Sequence, residues 1–184
     1  MTTIAVRFST GEIAADSMCS GDDVHYHVAK LRIGARSVFG GAGDWDALLK
    51  FYALLEAPGG VVDEDCDVEV LELREDGIWV YENTFIPARI KNDFYAIGTG
   101  RNYAIAAMHL GLTPREAVAL ATLYDPGTGG PIDEVLLSDV LARAPAKKAA
   151  KKPAKIAGQP KPAKCSMKQA RSAQKYNKLH KNDR

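Results

Sequence analysis

The chain has 184 residues, room for one domain and an appendage, and at 46% hydrophobic residues it can bury a core. Its net charge of +1 is a cancellation: residues 143–184 hold 14 Lys/Arg against one acid, Asp183, whereas residues 1–142 hold 10 Lys/Arg against 22 acids, which marks two physical units. No window approaches the roughly 20 apolar residues of a bilayer span, no signal-peptide core opens the chain, and Cys19, Cys66 and Cys165 form no zinc-type or CxxC spacing, so a soluble protein of a reducing, cytoplasmic compartment is expected.

Thr3-Ile4-Ala5-Val6-Arg7 and Gly11-Glu12-Ile13-Ala14-Ala15-Asp16-Ser17 are apolar runs separated by Ser9-Thr10-Gly11, a hairpin pattern. A second hairpin is expected over 28–33 and 37–39, turning at Gly34-Ala35-Arg36 and ending in Gly40-Gly41-Ala42-Gly43. Asp44 then N-caps a helix in which Trp45, Leu48, Leu49, Tyr52 and Leu55 recur at helical spacing, stopped by Pro58-Gly59-Gly60. Residues 68–73 and 78–81 form a third hairpin about the Glu75-Asp76-Gly77 turn.

Phe94-Tyr95-Ala96-Ile97 reads as a buried strand entering Gly98-Thr99-Gly100 and an alanine-rich helix closed by Gly111. The next helix starts on a capping box, with Thr113 at the N-cap, Pro114 at N1 and Glu116 at N3, and runs to about Tyr124. The loop Asp125-Pro126-Gly127-Thr128-Gly129-Gly130 leads to a last strand over 132–137. Hairpins, consecutive helices and a final strand argue for a layered α+β fold and against a βαβ repeat. From about Ala144 the lysines, alanines and prolines carry no apolar period, so a disordered basic tail is expected. The domain assignment is therefore 1–142 for the folded body and 143–184 for the tail.

Thr2-Thr3 follows Met1 directly. Removal of Met1 would leave Thr2 with a free α-amine, so one residue would hold a nucleophilic hydroxyl and its base. An α-amine titrates near ~7.7–8.0, so part of it is neutral at cellular pH and can take the hydroxyl proton. Taken singly, Thr2 is an ordinary processed terminus, Lys30 a solvated strand lysine, Asp16 a turn carboxylate and Gly40-Gly41 a packing accommodation.

Together the blocks Thr2-Thr3-Ile4-Ala5-Val6-Arg7, Ile13-Ala14-Ala15-Asp16-Ser17, Lys30, Gly40-Gly41-Ala42-Gly43-Asp44, Gly98-Thr99-Gly100 and Asp125-Pro126-Gly127-Thr128-Gly129-Gly130 resemble the proteasome β-subunit family. That family includes the HslV peptidase, and the resemblance spans about residues 2–137. It implies a four-layer αββα sandwich of the N-terminal-nucleophile (Ntn) hydrolase type and a threonine peptidase needing no cofactor or metal. It also implies a homo-oligomeric ring, peptide or unfolded-protein substrates and an ATP-dependent unfoldase partner.

By the same resemblance Thr2 is the nucleophile, Lys30 the catalytic lysine and Asp16 its carboxylate partner. Gly40 supplies the oxyanion N–H. Thr99, Asp125 and Thr128 support the amine, with threonines where the family usually has serines. Val38 sets the floor of the pocket for the residue preceding the cut, with an apolar preference, and Gly41 belongs to the small-residue run that lets backbone approach the substrate. A lysine ammonium nearby favours a neutral α-amine by like-charge repulsion. The Thr2–Asp16 and Lys30–Gly40 spacings are about two residues shorter than in HslV-like chains, an even change that keeps side chains on the same strand face.

Other chemistries have less support. His25 and His27 share a strand face without a third metal ligand, the cysteines lack a histidine partner, and Gly98-Thr99-Gly100-Arg101 lacks the P-loop spacing and lysine. Two alternatives to a peptidase stay open: an Ntn amidohydrolase acting on a small amide, and an inactive proteasome-like shell. The tail's lysines imply attraction to nucleic acid or another polyanion by counterion release.

Overall fold

The computed structural model describes residues 2–21, 24–56, 67–82 and 86–144, all within the compact unit Met1–Pro145. Apart from Arg143 and Ala144, the expected tail lies outside the described residues, as do Cys66, Cys165 and the Pro58-Gly59-Gly60 stop. Among the described residues every strand pair is antiparallel, in keeping with an α+β and not a βαβ pattern. No described helix is long and apolar enough to cross a membrane.

The first hairpin forms as the sequence indicates, with β1 (Thr3–Arg7) and β2 (Glu12–Asp16). They sit centrally in a four-stranded sheet flanked by β10 (Phe94–Gly98) and β11 (Ile132–Leu136), in the order β10-β1-β2-β11. Side chains alternate between the faces of a strand. Ile4, Val6, Ile13 and Ala15 point into one apolar cluster, whereas Ala5, Ala14 and Ala96 point into another. The second cluster takes α2 (Arg101–His109) and α3 (Pro114–Tyr124) through Ala104, Ala107, Met108, Ala117 and Val118. Alanine on both sides lets helix and sheet approach closely. The α3 capping box is present, with the Thr113 hydroxyl accepting from Glu116 N–H and the Glu116 carboxylate from Thr113 N–H.

The second sheet has the order β5-β6-β7-β8-β9: β5 (Leu31–Ile33), β6 (Val38–Gly43), β7 (Val68–Arg74), β8 (Gly77–Glu82) and β9 (Ala88–Ile90). Val38, Leu71, Leu73, Ile78 and Val80 meet Ile4, Val6 and Ile13 in the first cluster, which is therefore the core between the sheets. The opposite face, through Val68, Val70 and Tyr81, packs on Leu48, Phe51 and Tyr52 of α1 (Trp45–Glu56). Asp44 caps α1 as expected, accepting from Ala47 N–H at 2.8 Å.

Four features depart from the sequence reading. The run Gly40-Gly41-Ala42-Gly43 is part of β6, where β5 and β7 supply hydrogen bonds on either side. A small hairpin, β3 (Met18–Ser20) with β4 (His25–His27), precedes β5. β9 adds an edge strand. The last strand stops at Leu136, and Leu137–Arg143 forms α4, whose Leu137 and Val140 are buried in the inter-sheet core.

Candidate active site

Thr2 is buried just before β1, and Thr3 pairs with Gly98 at the end of β10. Gly98 has φ +87°, and a Cβ there would collide with the Thr2 carbonyl oxygen, so glycine is what lets the end of β10 meet the segment that leads into β1. The Thr2 nitrogen donates to Thr99 Oγ1 at 3.4 Å. With Met1 attached this is a peptide N–H; it marks where the α-amine would stand after Met1 removal.

Thr99 Oγ1 donates to Asp125 Oδ2 at 2.6 Å, and Thr128 Oγ1 donates to the same oxygen at 2.5 Å. Thr3 Oγ1 lies 2.5 Å from Thr128 Oγ1. Thr128's proton is committed to Asp125, so Thr3 is the donor in that pair. Asp125 Oδ1 accepts from Gly127 N–H at 3.2 Å. Burial pushes the Asp125 carboxyl upward, but hydrogen bonds from Thr128, Thr99 and Gly127 outweigh it and hold the group below the ordinary aspartate range. Asp125 is thus ionised and turned toward Thr2 through Thr99, and both threonines use the hydroxyl they share with serine.

A second buried carboxylate closes the other side. Asp16, at the end of β2, is fully buried. Its Oδ1 accepts from Lys30 Nζ at 2.9 Å and Thr3 N–H at 2.8 Å; its Oδ2 accepts from Met18 N–H at 3.2 Å and Gly129 N–H at 3.1 Å. Lys30, immediately before β5, is 5% exposed. One carboxylate oxygen therefore holds the lysine head and the start of β1 together.

The glycine run distributes its peptide groups by strand alternation. Gly41 N–H bonds Lys30 C=O at 3.4 Å, on the β5 side. Successive N–H groups of a strand point to opposite edges, so Gly40 N–H points toward β7, where Gly40 pairs with Leu71. A Cβ on Gly40 would meet Ile4 Cγ2 at 2.8 Å, and one on Gly41 would meet Tyr52 Oη at 2.6 Å from the α1 side. Val38 is fully buried in the inter-sheet core among Leu71, Leu73 and Ile78. It does not line the cavity beside Thr2.

That cavity measures about 390 Å³ and is bounded by Ala42, Gly43, Asp67, Glu69, Thr99 and Arg101 as well as Thr2. Thr3 and Gly129 lie within the sequence blocks without an assigned role; in the structure the N–H of each bonds Asp16, and Thr3 Oγ1 bonds Thr128. The polar wall was not expected. One signal was available for Glu69. On β7 it shares its face with Leu71 and Leu73, so period two places a carboxylate on the core-facing side of a strand.

No family model matches the chain, and no curated protein matches it. Solved structures do. BPH of Thiobacillus denitrificans in complex with epoxomicin aligns over 73% of this chain and 97% of that chain at 20% identity, TM-score 0.57. Eukaryotic HslV from Trypanosoma brucei aligns over 73% and 98% at 18% identity, TM-score 0.59. Anbu (ancestral beta-subunit) from Yersinia bercovieri aligns over 74% and 81% at 16% identity, TM-score 0.55. The fold is shared with HslV, BPH and Anbu. The resemblance carried by the short sequence blocks thus extends to the backbone over nearly the whole length of the BPH and HslV chains.

Proposed function

We propose that this chain is an N-terminal-threonine hydrolase that cuts peptide bonds, with Thr2 as nucleophile once Met1 is removed. The observation that carries the reading is Asp16 Oδ1, which accepts from Lys30 Nζ and from Thr3 N–H while fully buried. A buried ion pair is costly to desolvate and is poor evidence for stability alone. Here it fixes a cation beside the start of the chain, where it favours the neutral α-amine by like-charge repulsion.

The Thr2 amine takes the Oγ1 proton, and Oγ1 attacks the substrate carbonyl carbon. The tetrahedral oxyanion accepts the Gly41 N–H, which lies on the Lys30 side; Gly40 N–H faces β7. The 3.4 Å Gly41–Lys30 bond is long enough for an oxyanion to compete for that donor. Collapse expels the leaving amine with the transferred proton and leaves an ester on Thr2. Water, deprotonated by the same amine, hydrolyses the ester and restores the hydroxyl. Thr99, held by Asp125, orients the amine.

The three apolar clusters support the finer fold reading, a four-layer αββα Ntn-hydrolase sandwich: α2 and α3, first sheet, second sheet, α1. A cytoplasmic homo-oligomeric ring with peptide or unfolded-protein substrates, and an unfoldase partner, belong to the same reading through the fold shared with HslV. The test is turnover of unstructured peptides. Wild type should cut them, Thr2→Ala should not, and Lys30→Ala should lose ~10²-fold or more. Thr2-dependent turnover of small amides but not peptides would favour an amidohydrolase, and inactivity on both an inert shell.

A further inference from the structure

The cavity beside Thr2 differs from the apolar pocket that Val38 would have made. Val38 is sealed in the core, and beside Thr2, Thr99 and the small residues Ala42, Gly43 and Gly98 the wall is formed by Asp67, Glu69, Arg101 and Asn102. Its volume of about 390 Å³ accommodates a long side chain.

Charge in this wall is unbalanced. Glu69 stands directly opposite Glu82 across the β7–β8 ladder, and like charges directly opposite are destabilising unless a cation intervenes. On the cavity wall itself two carboxylates, Asp67 and Glu69, stand against one guanidinium, Arg101. That guanidinium is loosely held: Arg101 Nη1 lies 3.4 Å from Glu69 Oε1, and its side chain is half exposed, whereas a firm charge-assisted bond is about 2.7–2.9 Å. Gly98 N–H fixes the other carboxylate oxygen at 3.3 Å, tying Glu69 to the glycine that abuts Thr2. Burial, with a smaller push from the Glu82 charge, raises the Glu69 carboxyl above its ordinary value against the Gly98 hydrogen bond and the Arg101 charge.

We propose that this cavity receives the cationic side chain, lysine or arginine, of the substrate residue preceding the cut, with Glu69 and Asp67 as its counter-charges. The inference rests on the threonine-hydrolase reading. Arg101 acts as a displaceable stand-in that leaves Glu69 when the substrate cation arrives. A wall with an excess of negative charge also raises the local concentration of oppositely charged substrate.

The experiment compares four peptides identical except for Arg, Lys, Leu or Glu before the scissile bond, cut by wild type, Glu69→Gln, Asp67→Asn and Arg101→Ala. Wild type should favour Arg and Lys over Leu by ~10-fold or more in kcat/KM, and Glu should be poorest. Glu69→Gln should shrink the Arg/Leu ratio ~10-fold, mainly through KM. Asp67→Asn, a change at an exposed residue, should shrink it less, and Arg101→Ala should enlarge it. High salt should reduce the Arg/Leu ratio in wild type. Turnover with Leu preferred, or a ratio unmoved by both carboxylate variants, overturns this inference alone. No turnover of any peptide overturns the hydrolase reading and this inference with it.

Discussion

Asp16→Asn is the most informative single change to the fold around the site. The four donors on Asp16 are divided two and two: Lys30 Nζ and Thr3 N–H on Oδ1, Met18 N–H and Gly129 N–H on Oδ2. An amide keeps one acceptor oxygen and turns an NH₂ toward the other two donors. With the carbonyl on the Lys30 side, Met18 and Gly129 N–H lose their acceptor at a cost of about 1–3 kcal/mol each. Removing the carboxylate from a lysine side chain that is 4% exposed costs ~3–5 kcal/mol. The terms overlap, and a total of roughly 4–6 kcal/mol is expected against a domain stability of about 5–15 kcal/mol. At ~2–4 °C per kcal/mol for a domain of this size, Tm should fall by about 10 °C or more. Thermal unfolding by circular dichroism at pH 7 measures it. Asp16→Asn/Lys30→Met removes the buried cation as well and should melt above Asp16→Asn alone. A single variant within about 3 °C of wild type, or a double variant no more stable than the single, would refute the argument.

Two further perturbations follow from charge. Asp125 is held below the ordinary aspartate range, so its contribution is complete above about pH 4 and is lost as pH falls through its lowered value; the Tm gap between wild type and Thr99→Val/Thr128→Val should be full at pH 6 and narrow below pH 4, and a gap independent of pH would be the contrary result. Residues 143–184, with 14 Lys/Arg and one acid, should retard DNA or RNA without sequence preference and with steep salt dependence. Deleting residues 144–184 should abolish the shift and spare peptide hydrolysis, whereas equal shifts for both chains would contradict this.

Much of the fold was legible because its signals are local. Ser9-Thr10-Gly11 between two apolar runs marks the β1–β2 hairpin, and the Thr113-Pro114-Glu116 box marks the start of α3. α4 was hidden because Leu137 continues the apolar run of β11, and Leu136 at its N-cap gives no side-chain hydrogen bond to announce a helix. The strand carrying His25 and His27 was expected, but its pairing with β3 was not, since Met18–Ser20 and His25–His27 have no fully buried face to set a register.

The structure brings Thr2, Asp16, Lys30 and Thr99 to one place, and each is singled out in the sequence because it lies beside a strand end marked by short motifs. The difference between Gly40 and Gly41 could not be read from the sequence. Which N–H faces Lys30 depends on the register of β6 against β5 and β7, a long-range property that one residue of slip inverts. The cavity wall was missed for a related reason. Asp67 and Glu69 meet Arg101 only after β7 and β10 come together in space, and no local pattern joins residues so far apart in sequence.

The central claim is that Thr2 is a free, reactive N-terminal threonine. Intact mass spectrometry of the purified protein tests it, before and after incubation with epoxomicin, the molecule found in complex with BPH. The account predicts a chain lacking Met1 that gains one inhibitor mass, mapping to Thr2, and no gain in Thr2→Ala. An active protein that retains Met1, or an adduct that persists in Thr2→Ala, would contradict it.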